Sequence, residues 1–105
     1  YRKERKDEAL ALLRQAVKEK PDLMEAHYYL ASVLYAKNDL PAARAEYLAA
    51  DALAGTDTRP LSALCEMEQM AQTPELEAAK KKIKERFPKE GDSLISKCAA
   101  VSPAP

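Results

Sequence analysis

The chain has 105 residues, enough for one domain, and its 47% hydrophobic and 32% charged residues are the balance of a folded rather than a disordered protein. Its 17 basic and 17 acidic residues cancel, which excludes the broad positive field of a dedicated nucleic-acid or anionic-membrane binder. Much of the hydrophobic share is alanine, β-branched residues are scarce and there are only two glycines, so the propensities favour helix and exclude a sheet protein.

The first expected helix runs from about residue 3 to 19, with Ala9, Leu10, Leu13, Ala16 and Val17 at three- and four-residue steps until Lys20 and Pro21 stop it. Asp22 is the expected N-cap of a second helix, whose stripe of Ala26, His27, Leu30, Ala31, Val33 and Leu34 ends near 37 at Asn38-Asp39. Pro41 suits the first turn of a third helix, which carries Ala42, Ala43, Tyr47, Ala50 and Leu53 and stops at Gly55. Thr56, Asp57 and Thr58 offer caps for a fourth, with Leu61, Leu64, Cys65, Met67 and Ala71 inward. Thr73 is expected to cap a fifth, with Pro74 at its first position and Leu76, Ala79, Ile83 and Phe87 buried before Pro88 and Gly91. Beyond it, Leu94, Ile95 and Cys98 suggest one short docking turn, and Val101 to Pro105 a frayed end. Short connections make successive helices antiparallel, a row of about five in helical hairpins.

No window approaches roughly 18 consecutive apolar residues, so no membrane span is expected, and no signal-peptide pattern is present. Opening on Tyr1 without methionine, the chain reads as an excised or processed piece. Its two cysteines, Cys65 and Cys98, lack metal-ligand spacing and read as free thiols, the alternative being a bridge that ties the tail back in an oxidising compartment.

A shift of 34 residues superposes Ala9 on Ala43, Ala11 on Ala45, Leu13 on Tyr47, Ala16 on Ala50 and Pro21 on Gly55, matching small with small and large with large. Residues 24 to 55 resemble one whole tetratricopeptide repeat, with His27-x2-Leu30-Ala31-x2-Leu34, then Ala43-x3-Tyr47, then Gly55. Residues 3 to 21 look like the second helix of a preceding repeat. The unit from 56 to 90 is looser: Glu68 stands where an aromatic is wanted, and Ala79-x3-Ile83 fits only after a slip of about two residues. The resemblance implies an all-α solenoid over 1–90, namely 3–21, a complete repeat at 22–55 and a divergent terminal repeat at 56–90, followed by a short tail at 91–105.

In such arrays the first helix of each pair lines a concave, partner-binding groove. The resemblance therefore implies a protein- or peptide-binding scaffold whose contact residues are Glu25, Tyr28, Ser32 and Tyr35, continued by Arg59, Ser62, Glu66 and Gln69. Chaperone-binding members clamp a C-terminal carboxylate with lysines and asparagines on this face; Tyr28 and Ser32 stand at those positions here, so a clamp is not implied. The alternative function is self-assembly through an uncovered end helix, giving a homo-oligomer.

No catalytic constellation, metal site or cofactor loop is expected. His27 is the sole histidine and sits on a packed stripe, Cys65 lacks a second histidine to activate it, and no glycine-rich phosphate loop exists. The run Lys80, Lys81, Lys82, Lys84, Arg86 is interleaved with Glu85 and preceded by Glu77, and reads as a solvated helix face rather than a nucleic-acid site. A cytoplasmic location is the default expectation, with a bacterial periplasm or envelope as the alternative if a signal has been removed.

Overall fold

A computed structural model of the chain describes residues 3–101, with side chains from residue 5. The chain folds as two compact units, Tyr1–Asp57 and Thr58–Pro105. The described residues form six α-helices and no strand, one helix more than expected.

In the first unit, α1 (Lys3–Glu19) packs on α2 (Met24–Ala36), and α2 packs on α3 (Leu40–Leu53). Ala26, His27, Leu30, Ala31, Val33 and Leu34 are all buried on α2 and meet Ala43, Tyr47 and Ala50 of α3 as the buried face of the pair. Ala31, Ala43 and Ala50 have no accessible surface, because two helix axes approach within roughly 8–10 Å only where side chains are small. The α1 stripe from Ala9 to Val17 is half-buried, whereas Leu53, expected to point inward, is exposed at the last turn of α3.

Two ties hold α1 to the end of α2. The Lys6 ammonium donates to the carbonyl of Ala36 at 3.3 Å, at the negative end of the α2 dipole, and Lys37 pairs with Asp7. Asn38 then takes a left-handed conformation (φ 64°), and the Asp39 N–H reaches back to the carbonyl of Leu34. The Asp39 carboxylate caps α3 by accepting from the Ala42 N–H at 3.3 Å.

The second unit contains α4 (Arg59–Ala71), α5 (Leu76–Arg86) and α6 (Gly91–Ala100), and each helix touches the other two. The buried residues of α4 are Pro60, Leu61, Leu64, Cys65, Met67 and Glu68, which reproduce the buried set of α2 position by position at a spacing of 34. Gln72 is left-handed (φ 53°), 34 residues after Asn38. The buried Ala79 and Ile83 of α5 and its C-cap Phe87 follow Ala43, Tyr47 and Asp51 by 36, so the slip of two residues lies in the α4–α5 connection.

Three expected caps are not formed. Asp22 lies in a turn, and Leu23 occupies the cap position of α2 without a side-chain bond, because the helix begins too late for Asp22 to reach its N–H groups. Thr58 precedes α4, also without a side-chain bond. Thr73 does not cap α5, which starts at Leu76; its hydroxyl instead donates to the buried carboxylate of Glu68 at 2.7 Å. Pro74 accordingly sits in the connection rather than in the helix.

The largest departure is at the C-terminal side. The expected single turn around Leu94 is a ten-residue helix, α6, and Cys98 is bonded to Cys65 rather than free. The alternative of a bridge that ties this end back is the one the structure adopts: the helix brings the two Cα atoms to 5.9 Å, within disulfide range. Val101 leaves α6 in extended conformation, and the rest of the expected frayed end, 102–105, lies outside the described residues.

Two substitutions test this packing. Ala43→Leu should overpack the α2–α3 crossing and cost about 1–3 kcal/mol in chemical denaturation. Thr73→Val should leave Glu68 short of a donor and cost a similar amount, about 1–3 kcal/mol, whereas the same change at exposed Thr56 should have little effect.

Candidate functional site

The expected contact residues on α2 fall on its solvent side. Glu25 is exposed, and Tyr28, Ser32 and Tyr35 are half-buried along the strip left by the packed face. Helical geometry also places Tyr29 there, one turn from Glu25 and Ser32, and it is 49% exposed. The sequence reading omitted Tyr29, although a helical projection anchored on the buried residues would have found it.

These side chains form a connected group. The Tyr28 and Tyr29 rings meet edge-on with centroids 5.4 Å apart, and Tyr28 lies 5.9 Å from the buried Tyr47 ring of α3. Ser32 Oγ donates to the Tyr28 carbonyl at 3.1 Å and lies 3.2 Å from the Tyr47 hydroxyl. The exposed part of Tyr28 is thus backed by aromatic and hydroxyl neighbours, which limits its rotamers.

On α4, Arg59, Ser62, Glu66 and Gln69 occupy the same register, each 34 residues after its α2 counterpart. Arg59 and Glu66 are exposed and Gln69 is half-buried. Ser62 Oγ is inaccessible and has no hydrogen-bond partner among the described residues, so it does not offer its hydroxyl to an outside ligand.

Behind the α2 strip, His27 is buried and its two ring nitrogens reach two acceptors: Nδ1 lies 2.7 Å from Glu46 Oε1 and Nε2 lies 2.7 Å from the Pro21 carbonyl. An ionised carboxylate and a carbonyl can only accept, so both bonds are satisfied together only by the imidazolium. Burial of the ring opposes that charge, but the Glu46 hydrogen bond, the Pro21 carbonyl and the charge of Glu46 outweigh it and hold the pKa above 6.5. The only histidine therefore pins α2 to the α1–α2 turn and to α3.

The lysine-rich face of α5 is largely neutralised where it meets α6. Lys80 pairs with Glu77 at 3.4 Å and Lys84 with Asp92 at 3.0 Å, and a shallow concavity there is lined by both signs of charge. Among the described residues no group of three or more His, Cys, Asp or Glu is placed to hold a metal ion, and no helix is long and apolar enough to cross a membrane.

The His27 contacts set a pH dependence. A histidine whose folded pKa is raised stabilises fully below its unfolded value of 6.5, and that contribution is lost as pH rises through the folded value. The stability difference between the native chain and His27→Leu should therefore be largest below pH 6.5 and shrink as the pH is raised above it in denaturant titrations. A difference that stays constant over that rise would contradict the doubly bonded imidazolium.

No curated protein and no solved structure matches this chain. A family model described as tetratricopeptide repeat matches residues 1–58, ending at the boundary between the two compact units. Repeats of this kind generally mediate protein–protein interaction and are typically non-enzymatic scaffolds. With that match over more than half of its residues, and with the small-residue helix crossing that the repeat requires, the chain belongs to the tetratricopeptide repeat family.

Proposed function

We propose that this chain is a protein-binding module that receives a peptide segment on the solvent side of α2, with Tyr28, Tyr29 and Tyr35 as the contact rings and Ser32 and Glu25 as polar neighbours. The observation that carries the reading is the backed position of Tyr28, half-buried between the rings of Tyr29 and Tyr47. A partly exposed ring held on two sides has the features of an interface anchor: apolar area, a hydroxyl and little freedom to lose. Tyrosine and serine together suit an apolar or mixed peptide better than a strongly charged one.

The α4 positions Arg59, Glu66 and Gln69 provide a second contact set in the same register, and 56–90 is read as a divergent repeat. Its support is the repetition of the α2 burial pattern on α4, while the two-residue slip before α5 is the divergence.

Self-assembly is the second reading, and a specific residue favours it. Leu12 on α1 is 72% exposed, an apolar side chain on the helix that α2 covers from one side. That reading predicts a mass that rises with concentration.

The two are separated by one set of experiments. A Tyr28→Ala, Tyr35→Ala double variant, verified as folded by circular dichroism, should lose capture of a specific protein from source lysate, and the purified pair should show at least about tenfold weaker binding by calorimetry. Unchanged capture removes the α2 face from consideration. Light scattering of the native chain and of Leu12→Asp over a range of concentrations then decides whether α1 mediates a homo-oligomer.

A further inference from the structure

Helix α6 has little to hold it in place by packing alone. It is ten residues long, shorter than the roughly 12–15 residues at which even good helix formers become marginal in water. Its buried residues are Gly91 and Cys98, with Leu94 and Ile95 half-buried. Gly91 allows a close approach to α5, since a Cβ there would lie 3.2 Å from the Lys84 Cα, but it adds no side-chain area. The Lys84–Asp92 pair is well exposed and so adds little.

Against this stands one covalent tie. Cys65 and Cys98 are the only cysteines in the chain, they are 0% and 1% exposed, and they join α4 to α6 across a separation of 33 residues. Because both sulfurs are buried, an external thiolate reaches the bond only when α6 lifts from α4. Oxidation and docking of α6 are therefore coupled: each favours the other.

We propose that the Cys65–Cys98 disulfide is an oxidation-dependent latch that docks α6 and closes the second unit, and that the protein works in a thiol-oxidising compartment. In the open form both thiols are accessible, and the oxidant is a disulfide donor of the thiol–disulfide exchange class. The Cys98 thiolate attacks one sulfur of the donor and expels one thiolate. The Cys65 thiolate then attacks the Cys98 sulfur of the mixed disulfide and expels the second. The two protons lost by the cysteines end on the two departing thiolates, so the protein loses two electrons and the donor disulfide becomes two thiols. Without the latch, the open form is favoured by on the order of 500-fold more than with it, the entropic effect of releasing a loop of this length. This inference is independent of the binding face on α2.

The test uses the full chain, oxidised by glutathione disulfide or reduced by dithiothreitol, with amide hydrogen exchange read by mass spectrometry. Reduction should accelerate exchange over 91–100 by on the order of 500-fold, alone or together with 59–86, while 24–53 keeps its protection. A Cys65→Ala, Cys98→Ala double variant should match the reduced chain whether or not dithiothreitol is present. Equal protection of α6 in the oxidised and reduced chains overturns the latch. In source cells quenched with acid and alkylated, the linked peptide pair should predominate; both cysteines alkylated as free thiols would overturn the assignment of compartment.

Discussion

The close crossing of α2 and α3 is the constraint on which the first unit depends. Ala31 and Ala43 have no accessible surface, so small side chains occupy the packed faces of the two helices and everything larger is arranged around them. Leu30, Leu34 and Tyr47 fill the flanks, and His27 bridges the gap to the α1–α2 turn with a ring bonded through both nitrogens. The same crossing turns the opposite side of α2 to solvent, which is why a helix rich in alanine and leucine can also present three tyrosines. The packed and the solvent-facing sides of α2 thus follow from one periodicity.

Much of this was legible in the sequence because burial at a helix crossing leaves a size pattern. The 34-residue spacing of small and large residues was readable between Ala9 and Ala43, and the structure extends it to the complete buried sets of α2 and α4. The slip before Ala79 was also readable, since Ala79 and Ile83 keep their own spacing while losing phase with Ala43 and Tyr47. Its local mechanism was not. A threonine before a proline reads as a cap, and nothing in the one-dimensional pattern says that Thr73 would instead satisfy a buried Glu68. An acid in a leucine position looks like decay of the repeat, yet it is coupled to the connection in which the slip occurs.

The tail was misread for a related reason. Gly91, Asp92 and Ser93 are poor helix formers, and Leu94, Ile95 and Cys98 are too few to mark more than a single turn. Tertiary contact overrode propensity there, through a glycine that admits close approach to α5 and a cysteine that reaches α4. For the candidate site, the register of Tyr28, Ser32 and Tyr35 followed from the family pattern, but the omission of Tyr29 came from following that pattern instead of projecting the helix. The closed-off hydroxyl of Ser62 belongs to a third category: its side-chain environment depends on packing that spacing alone does not encode.

The disulfide also fixes how this polypeptide would carry a mechanical load. Tension applied through its two ends runs along α4 to Cys65, crosses the sulfurs and leaves through Cys98, so the intervening chain, including all of α5, stays slack. A separation of 33 residues withheld from extension corresponds to about 110 Å of contour length. Oxidised and reduced molecules thus differ in reach as tethers, the reduced one being longer by that amount when pulled open.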